Sequence, residues 1–283
     1  MPRTTSSPSP PSPSSPAPPA IELHGVTKRF RTPRGGVHTA LRDLDMTIAP
    51  GEFCAVVGPT GCGKSTTLSL VSGLEPATAG QVRVDGTPVD GIASDVGFMF
   101  QNDAVLPWKT VLGNVAAGPL FRGTARRDAH ERARDLLRRV GLSGFEDRYP
   151  HQLSGGMRKR VALAQCLINE PRILLMDEPF SALDAQTRVI MSGELLTLWE
   201  QSRPAVVFVT HDLEEAIALA DRVIVMTAGP ATVKAAFTVG LPRPRTAHDI
   251  RFTPEFIEIY QQIWSSLRDE VEVAYARITE QAD

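Results

Sequence analysis

The sequence predicts an α/β fold: an antiparallel sheet beside a mostly parallel one, with a helical subdomain inserted into the core. Three observations predict it. Short apolar strands separated by turns come first, alternating strand–helix units come last, and Gln101 to Leu153 between them carries little strand signal.

Taken in order, residues 1–20 are almost entirely Pro, Ser, Thr and Ala and contain nothing to bury, so they read as a disordered, partly polyproline-like tail. A ligand for an SH3-type domain is the sharper reading of that proline content, an inert tail the blander one. Ile21–Val26 and Leu44–Ile48 alternate as half-buried strands do, and Phe53–Val57 is continuously apolar, as a central parallel strand should be. Lys64 to Ser72 reads as a helix ended by Gly73. Gln81–Val84 alternates again and meets the turn pair Asp85-Gly86. In the inserted region Ala133, Leu136, Leu137 and Val140 follow helical spacing. The neighbouring Arg132, Arg134, Arg138 and Arg139 lie opposite that stripe among acids and read as a solvated face rather than a nucleic-acid patch. Val161–Ile168 is helical, Arg172–Met176 and Val206–Thr210 are buried strands, Glu214–Ala220 is a helix, and Val223–Met226 a last strand. The expected division is therefore a tail over 1–20, a main domain over 21–240 with its helical subdomain at about 101–160, and a helical extension over 241–283. In the extension Thr253 caps a helix with Pro254 at its first position, and Phe256, Tyr260, Ile263, Trp264 and Leu267 make one stripe that should pack on the domain.

The bulk composition excludes several function classes. Of 283 residues, 42% are hydrophobic and 22% charged, enough for a substantial core. Thirty basic against 32 acidic residues leave a formal charge of -2, which gives no global field for nucleic acid or anionic lipid, and 6% aromatics give no stacking platform. Three cysteines, Cys54, Cys62 and Cys166, form no CxxC pair and suit a reducing cytoplasm. No apolar run reaches the roughly 18 residues that cross a bilayer, and residues 1–20 lack the apolar stretch of a signal peptide. Any transport role would need a partner that supplies the pore.

Chemistry enters with Gly58-Pro59-Thr60-Gly61-Cys62-Gly63-Lys64-Ser65, followed by Thr66. It fits G-x-x-x-x-G-K-[ST] between a buried strand and a helix, the context in which backbone N–H groups close around phosphate oxygens at a helix N-terminus. Lys64 is expected on the β- and γ-phosphates and Ser65 on Mg²⁺. Ile173-Leu-Leu-Met-Asp177-Glu178 ends an apolar strand in two carboxylates at the sheet's C-terminal edge. There Asp177 can hold Mg²⁺ and Glu178 can orient or deprotonate the attacking water. Leu153-Ser154-Gly155-Gly156-Met157 then opens a second helix with a hydroxyl and unobstructed N–H groups, a second phosphate site on the same chain. One chain does not easily fold two phosphate sites around one γ-phosphate, so each site is inferred to complete a neighbour's; a plain serine cap is the bland alternative.

Together Gly58–Thr66, Gln101, Leu153–Met157, Asp177-Glu178, Ser181-Ala-Leu-Asp184 and His211 resemble the ABC-type ATPase family, in order and spacing, from about Ile21 to about Met226. The resemblance implies a P-loop NTPase with the ABC-type nucleotide-binding domain, an antiparallel β subdomain and an inserted helical subdomain. It implies two ATPs with Mg²⁺ held in a head-to-tail homodimer between phosphate loop and signature loop, with Ser154, Gly155 and Gly156 on the partner's nucleotide. Gln101 would sense γ-phosphate and Mg²⁺ and report to a membrane subunit, Asp184 would link the two sites, and His211 would contact γ-phosphate and hold Glu178. Phe30 matches the position that stacks on adenine in such proteins; core packing is its other reading. Met157 and Gln165 depart from the commoner glutamine and arginine, and neither is a phosphate ligand.

Phe100-Gln101-Asn-Asp-Ala-Val-Leu106-Pro107-Trp108 resembles the nitrate/sulfonate/taurine importer ATPases, a subgroup that also includes pyrimidine-precursor importers, and Leu241-Pro-Arg-Pro-Arg245 with Thr253-Pro254-Glu255-Phe256 resembles its ending. This implies a peripheral protein on the cytoplasmic face of the membrane, bound to permease subunits and served indirectly by a substrate-binding protein. Trp108 reads either as part of a groove for a permease helix or as core of the helical subdomain. A non-transport ABC protein and an exporter ATPase are the rival classes; the single domain without sustained heptads speaks against the first, the Leu-Pro-Trp segment against the second. Finally, Cys62, beside Lys64 and a helix N-terminus, is expected to be more acidic and reactive than a free thiol, shielded by nucleotide, unless it is a small spacer turned into the core. Cys54 and Cys166 should react slowly.

Overall fold

The computed structural model describes residues 18–33, 35–102, 104–245 and 250–282; the expected tail falls outside them except for its last three residues. β1 (Ile21–Arg31) and β2 (Val37–Ile48) form a long hairpin, and β3 (Phe53–Val57) leads through the phosphate loop into α1 (Lys64–Ser72). β4 (Ala79–Val84) and β5 (Thr87–Pro88) return to the hairpin, and β6 (Val96–Met99) enters the second sheet. Four helices follow: α2 (Val111–Val115), α3 (Ala117–Phe121), α4 (Arg126–Arg139) and α5 (Gly155–Leu167). The chain then runs β7 (Ile173–Asp177), α6 (Ala185–Ser202), β8 (Ala205–Val209), α7 (Leu213–Leu219), β9 (Arg222–Met226), β10 (Val233–Thr238) and α8 (Pro254–Ala282).

Among the described residues the strands make a four-stranded antiparallel sheet, β2-β1-β4-β5, and a six-stranded sheet, β10-β9-β3-β8-β7-β6, parallel but for its edge strand β10. The parallel sheet is the wall between two cores. Because side chains alternate across a strand, Phe53, Ala55 and Val57 of β3 face the side covered by α6 and α7, in one core that continues into α2, α4 and α5. Cys54 and Val56 face the hairpin and α1. β7 and β8 divide in the same way, Leu174, Met176 and Phe208 on one side, Ile173, Leu175 and Val207 on the other. Strands buried on both faces read as unbroken apolar runs, which is why these were the clearest elements in the sequence.

The structure departs from the expected elements mainly by extension. β1 runs on to Arg31 and β2 starts at Val37, since both continue as a paired ribbon past the alternating part, with register shifts after Leu23, Val26 and Lys28. α5 starts at Gly155 with Ser154 as its cap, so the helix opened by the Ser154 segment and the helical stretch from Val161 are one continuous element. α6, β6 and β10 have no counterpart in the sequence reading. α6 is capped by Asp184 and buries Met191, Leu195, Leu198 and Trp199 as a stripe at helical spacing, with apolar Ile190 left exposed outside it. Trp199 lies edge-to-face on Phe53, ring centroids 5.5 Å apart, and its indole N–H donates to the Pro204 carbonyl at 2.9 Å.

The C-terminal segment is tied down by arginines before it becomes helical. Arg245 is buried and donates to the Ile217 and Ala220 carbonyls at the end of α7 and to Val239 and Leu241 of its own strap. Arg243 lies over the Trp199 ring at 4.4 Å and pairs with Asp221 at 2.7 Å. In α8, Phe256, Ile263 and Leu267 are buried on the domain, Tyr260 is half-buried and Trp264 stands exposed at the margin of the stripe. Farther along, Glu270 accepts from the Ala228 N–H at 2.7 Å and pairs with Lys234 at 2.9 Å.

Candidate active site

The phosphate loop is built by close approach. Gly63 has φ 122°, and a side chain there would meet Leu41 at 2.7 Å and the Ala40 carbonyl at 3.2 Å, so β2 presses on the loop and only glycine fits. Gly63 is also the N-cap of α1, with no side-chain cap and no acid in the first turn. The first-turn N–H groups are left open to an anion, where the helix partial charge favours one. Lys64 is buried and folds back, donating to the Gly58 and Pro59 carbonyls at 2.8 and 3.0 Å, its ammonium held at the rim of the loop. Gly58 to Gly63, including Pro59, Thr60 and Gly61, thus form the loop between β3 and α1, and Lys64 to Thr66 are the first turn of α1.

Across the loop, β7 delivers the two carboxylates. Ser65 Oγ donates to Asp177 Oδ1 at 3.0 Å. Burial raises the Asp177 carboxyl above its usual range, against the Ser65 hydrogen bond. Two hard oxygen donors this close fit Mg²⁺. The next residue, Glu178, has φ 44°, rare outside glycine. It is held there from both sides: its N–H donates to the Val209 carbonyl at 2.9 Å, and its own carbonyl accepts the Ser181 hydroxyl at 3.0 Å. Strain fixed in this way aims a side chain. Glu178 Oε2 meets His211 Nδ1 at 3.1 Å and the Gln101 side-chain amide at 3.5 Å. A carboxylate only accepts, so Nδ1 carries the proton and the Nε2 edge of the ring is left for another group. Ser65 with Asp177, and Gln101 and His211 with Glu178, therefore form two hydrogen-bonded groups joined through the adjacent Asp177 and Glu178, although the five residues come from four separate segments.

Ser154 and Asp184 belong to other surfaces of the chain. Ser154 is exposed, and its hydroxyl accepts the Met157 N–H at 3.3 Å, capping α5 beside exposed Gly155. Gly156 is tight against α6: a side chain there would meet Thr187 at 2.9 Å. Asp184 caps α6, accepting the Gln186 and Thr187 N–H groups at 3.1 and 3.0 Å and the Thr187 hydroxyl at 2.7 Å, bonds that hold its carboxyl below the usual range. Phe30 is half-buried on β1 opposite His38, with the Lys28 ammonium 4.8 Å from its ring centre.

Cys62 corrects the expected reactivity. It is 2% exposed, its sulfur faces the second core, and burial raises its thiol above the usual value despite Lys64 and the local N–H groups. Desolvation outweighs the helix terminus because the sulfur points away from the mouth of the loop. Cys54 is likewise raised, and burial takes Cys166 up to about 12. Maleimide labelling of folded protein, read by mass spectrometry, is expected to mark Cys62 at least about tenfold more slowly than a free thiol, with or without MgATP. Fast labelling that MgATP suppresses would reverse this placement.

Several residues of the site escaped the sequence reading. Lys159, buried on α5, donates to the Gln101 carbonyl at 2.8 Å and ties the helix opened by Ser154 to the loop of Gln101. Asn114, fully buried, accepts the Leu106 N–H at 2.7 Å and donates to the Leu106, Lys109 and Thr110 carbonyls, so it shapes the loop that carries Trp108. Trp108 itself is 72% exposed, which removes the core-packing reading. On the same stretch of chain, Phe100 and Ala104 line a groove of about 260 Å³ with Phe98, Gln165 and Pro171, the two Phe rings stacked at 4.3 Å. A buried lysine or asparagine in a helix interior has no periodicity of its own, and only the tertiary partner reveals it.

A phosphate loop, a strand-borne Asp-Glu pair and a histidine on the glutamate define a P-loop nucleoside triphosphatase. The family model described as ABC transporter matches residues 41–181, and the chain belongs to that family, whose ATP hydrolysis is coupled to transport. Among its relatives are an uncharacterized ABC transporter ATP-binding protein of Methanocaldococcus jannaschii, 44% identical over 89% of this chain and 92% of that one. The taurine import ATP-binding protein TauB of Burkholderia pseudomallei is 43% identical over 84% and 94%. The nitrate import ATP-binding protein NrtD of Synechocystis is 40% identical over 88% and 95%. A solved ATP-binding cassette, dimeric in a post-hydrolysis state with ADP and Pi, superposes with a TM-score of 0.70 at 32% identity over 77% of this chain and 98% of that one. Among the described residues no helix is long and apolar enough to cross a membrane.

Proposed function

We propose that this ATPase drives an importer for a small anionic solute such as nitrate, an aliphatic sulfonate or taurine. Its place would be the cytoplasmic face of the membrane, bound to permease subunits and stimulated through a substrate-binding protein. The likeness to TauB and NrtD over nearly their whole length supports the solute class. The single observation that carries the permease contact is the pair of exposed aromatics, Phe100 and Trp108, on the segment that carries Gln101, with Phe100 lining a groove. Aromatic residues on a surface groove suit the burial of a partner helix.

In this reading two copies pair head to tail. Lys64 and the N–H groups of the loop from Gly58 to Thr66 take the phosphates of ATP, Phe30 adjoins the adenine, and Ser154, Gly155 and Gly156 of the partner subunit close over the γ-phosphate. Ser65 and Asp177, with Gln101 adjoining, would hold Mg²⁺, which when bound neutralises charge on the phosphate oxygens. Glu178 accepts the proton of the attacking water, and His211 keeps that carboxylate oriented and offers its Nε2 edge to the γ-phosphate. Asp184, at the start of α6, passes the state of one site to the other.

The test is reconstitution of the subunit in proteoliposomes with a permease and binding protein that co-purify with it. Uptake of labelled taurine, an alkanesulfonate or nitrate is expected only with ATP on the subunit's side, and loaded binding protein should raise hydrolysis several-fold above the basal rate. ATP-driven uptake of none of the three would sink the solute class. Failure to bind the permease at all would sink the importer.

A further inference from the structure

The residues assigned to catalysis leave one partly buried ionic cluster without a role. Its centre is Arg188, on the second turn of α6. Nη1 donates to Asp212 Oδ2 at 2.8 Å, Nη2 donates to the Leu183 carbonyl at 3.2 Å, and Nε faces Glu215 Oε1 at 3.7 Å. Leu183 immediately precedes Asp184, and Asp212 immediately follows His211, so one guanidinium grips both loops.

The grip extends to both flanks of His211. Asp212 caps α7 by accepting the Glu214 and Glu215 N–H groups at 2.9 and 3.2 Å. The Thr210 hydroxyl donates to Glu215 Oε2 at 2.7 Å and accepts the Asp212 N–H at 3.0 Å. Thr210 on one side of the histidine and Asp212 on the other therefore both lead back to Arg188. Arg188 Nε and Glu215 Oε1 are buried without hydrogen-bond partners, and at 3.7 Å a shift of under about 1 Å would join them. The cluster is one small movement short of closed.

We propose that Arg188 is a positioning residue that couples the Asp184 loop to the His211 loop, so that docking of a second subunit against Asp184 sets the histidine that orients Glu178. The coupling rests on the roles given above to His211, Glu178 and the paired subunits. Arginine suits it because its planar fork can hold a carboxylate and a carbonyl at once, whereas lysine is a single point charge.

The experiment is a cycle of full-length variants, Arg188→Gln, Arg188→Lys, His211→Ala and the Arg188→Gln/His211→Ala pair, read by ATP hydrolysis, nucleotide affinity and thermal unfolding. Arg188→Gln is expected to lower kcat about tenfold with KM for ATP changed less than about threefold, and Arg188→Lys to fall between it and wild type. In the His211→Ala background Arg188→Gln should cost less than about twofold more, because its effect passes through the histidine. Losses that multiply across the pair would make Arg188 a fold-stabilising residue only and overturn the coupling. Wild-type kcat in Arg188→Lys refutes the two-loop grip, whether or not Arg188→Gln folds. Wild-type hydrolysis by His211→Ala would instead remove the reading beneath it, and the coupling with it.

Discussion

Glu178→Gln is expected to bind ATP with nearly wild-type affinity and to hydrolyse it at least about 100-fold more slowly, the typical scale for loss of a general base. The phosphate loop is untouched, since Lys64 is held by the Gly58 and Pro59 carbonyls and Ser65 by Asp177. Glutamine is close in shape, can still accept from His211, and inherits the same constrained backbone at φ 44°. What disappears is the negative oxygen that takes the proton. At 1.36 kcal/mol per factor of ten, a 100-fold loss is about 2.7 kcal/mol of barrier. Bound but uncleaved ATP should also trap the paired state, visible as an ATP-dependent dimer by size-exclusion chromatography. Turnover within a few-fold of wild type would remove Glu178 from the catalytic role.

Ser154→Arg should abolish hydrolysis by a different route, about 100-fold or more in kcat, while nucleotide affinity of the isolated subunit stays within about threefold. The side chain is exposed at the start of α5, so its own chain has room for the arginine. The lost cap costs about 1 kcal/mol, too little to unfold a domain of this size. The bulk instead stands where a partner's γ-phosphate would sit. Equilibrium binding of a fluorescent nucleotide and steady-state hydrolysis, measured on the same preparation, separate the two effects. An ATPase rate matching wild type would refute the shared site.

Much of this architecture could be read before any coordinates. β3 and α1 emerged with their observed bounds, because a strand buried on both faces and a helix closed by glycine leave unambiguous marks. α6 did not emerge: apolar residues such as the exposed Ile190 also fall outside its buried stripe, and nothing local says which face is inside. The site divided along the same line. Residues whose role depends on a short ordered string, such as Gly58–Ser65 or Asp177-Glu178, were legible as strings. Residues whose role depends on a contact across the fold were not, and Lys159 on Gln101, Asn114 under the Trp108 loop and Arg188 between two loops are the cases. Cys62 failed for a related reason. Its neighbours in sequence argued for an acidic thiol, but the direction of its side chain, which sequence does not carry, decided otherwise.

The short helix after His211 has a mechanical side. α7 has only seven residues, roughly 10 Å of rise, and a helix that short is marginal in water by itself. Here it is clamped at both ends by arginines from distant parts of the chain: Arg188 reaches its cap at Asp212, and Arg245 closes on the carbonyls of Ile217 and Ala220 at its far end. A rod pinned twice cannot slide or fray. It works as a strut of set length between the C-terminal strap and the histidine loop, with its far anchor made to peptide carbonyls. Its two anchors thus differ in kind, a carboxylate at the histidine end and peptide carbonyls at the strap end.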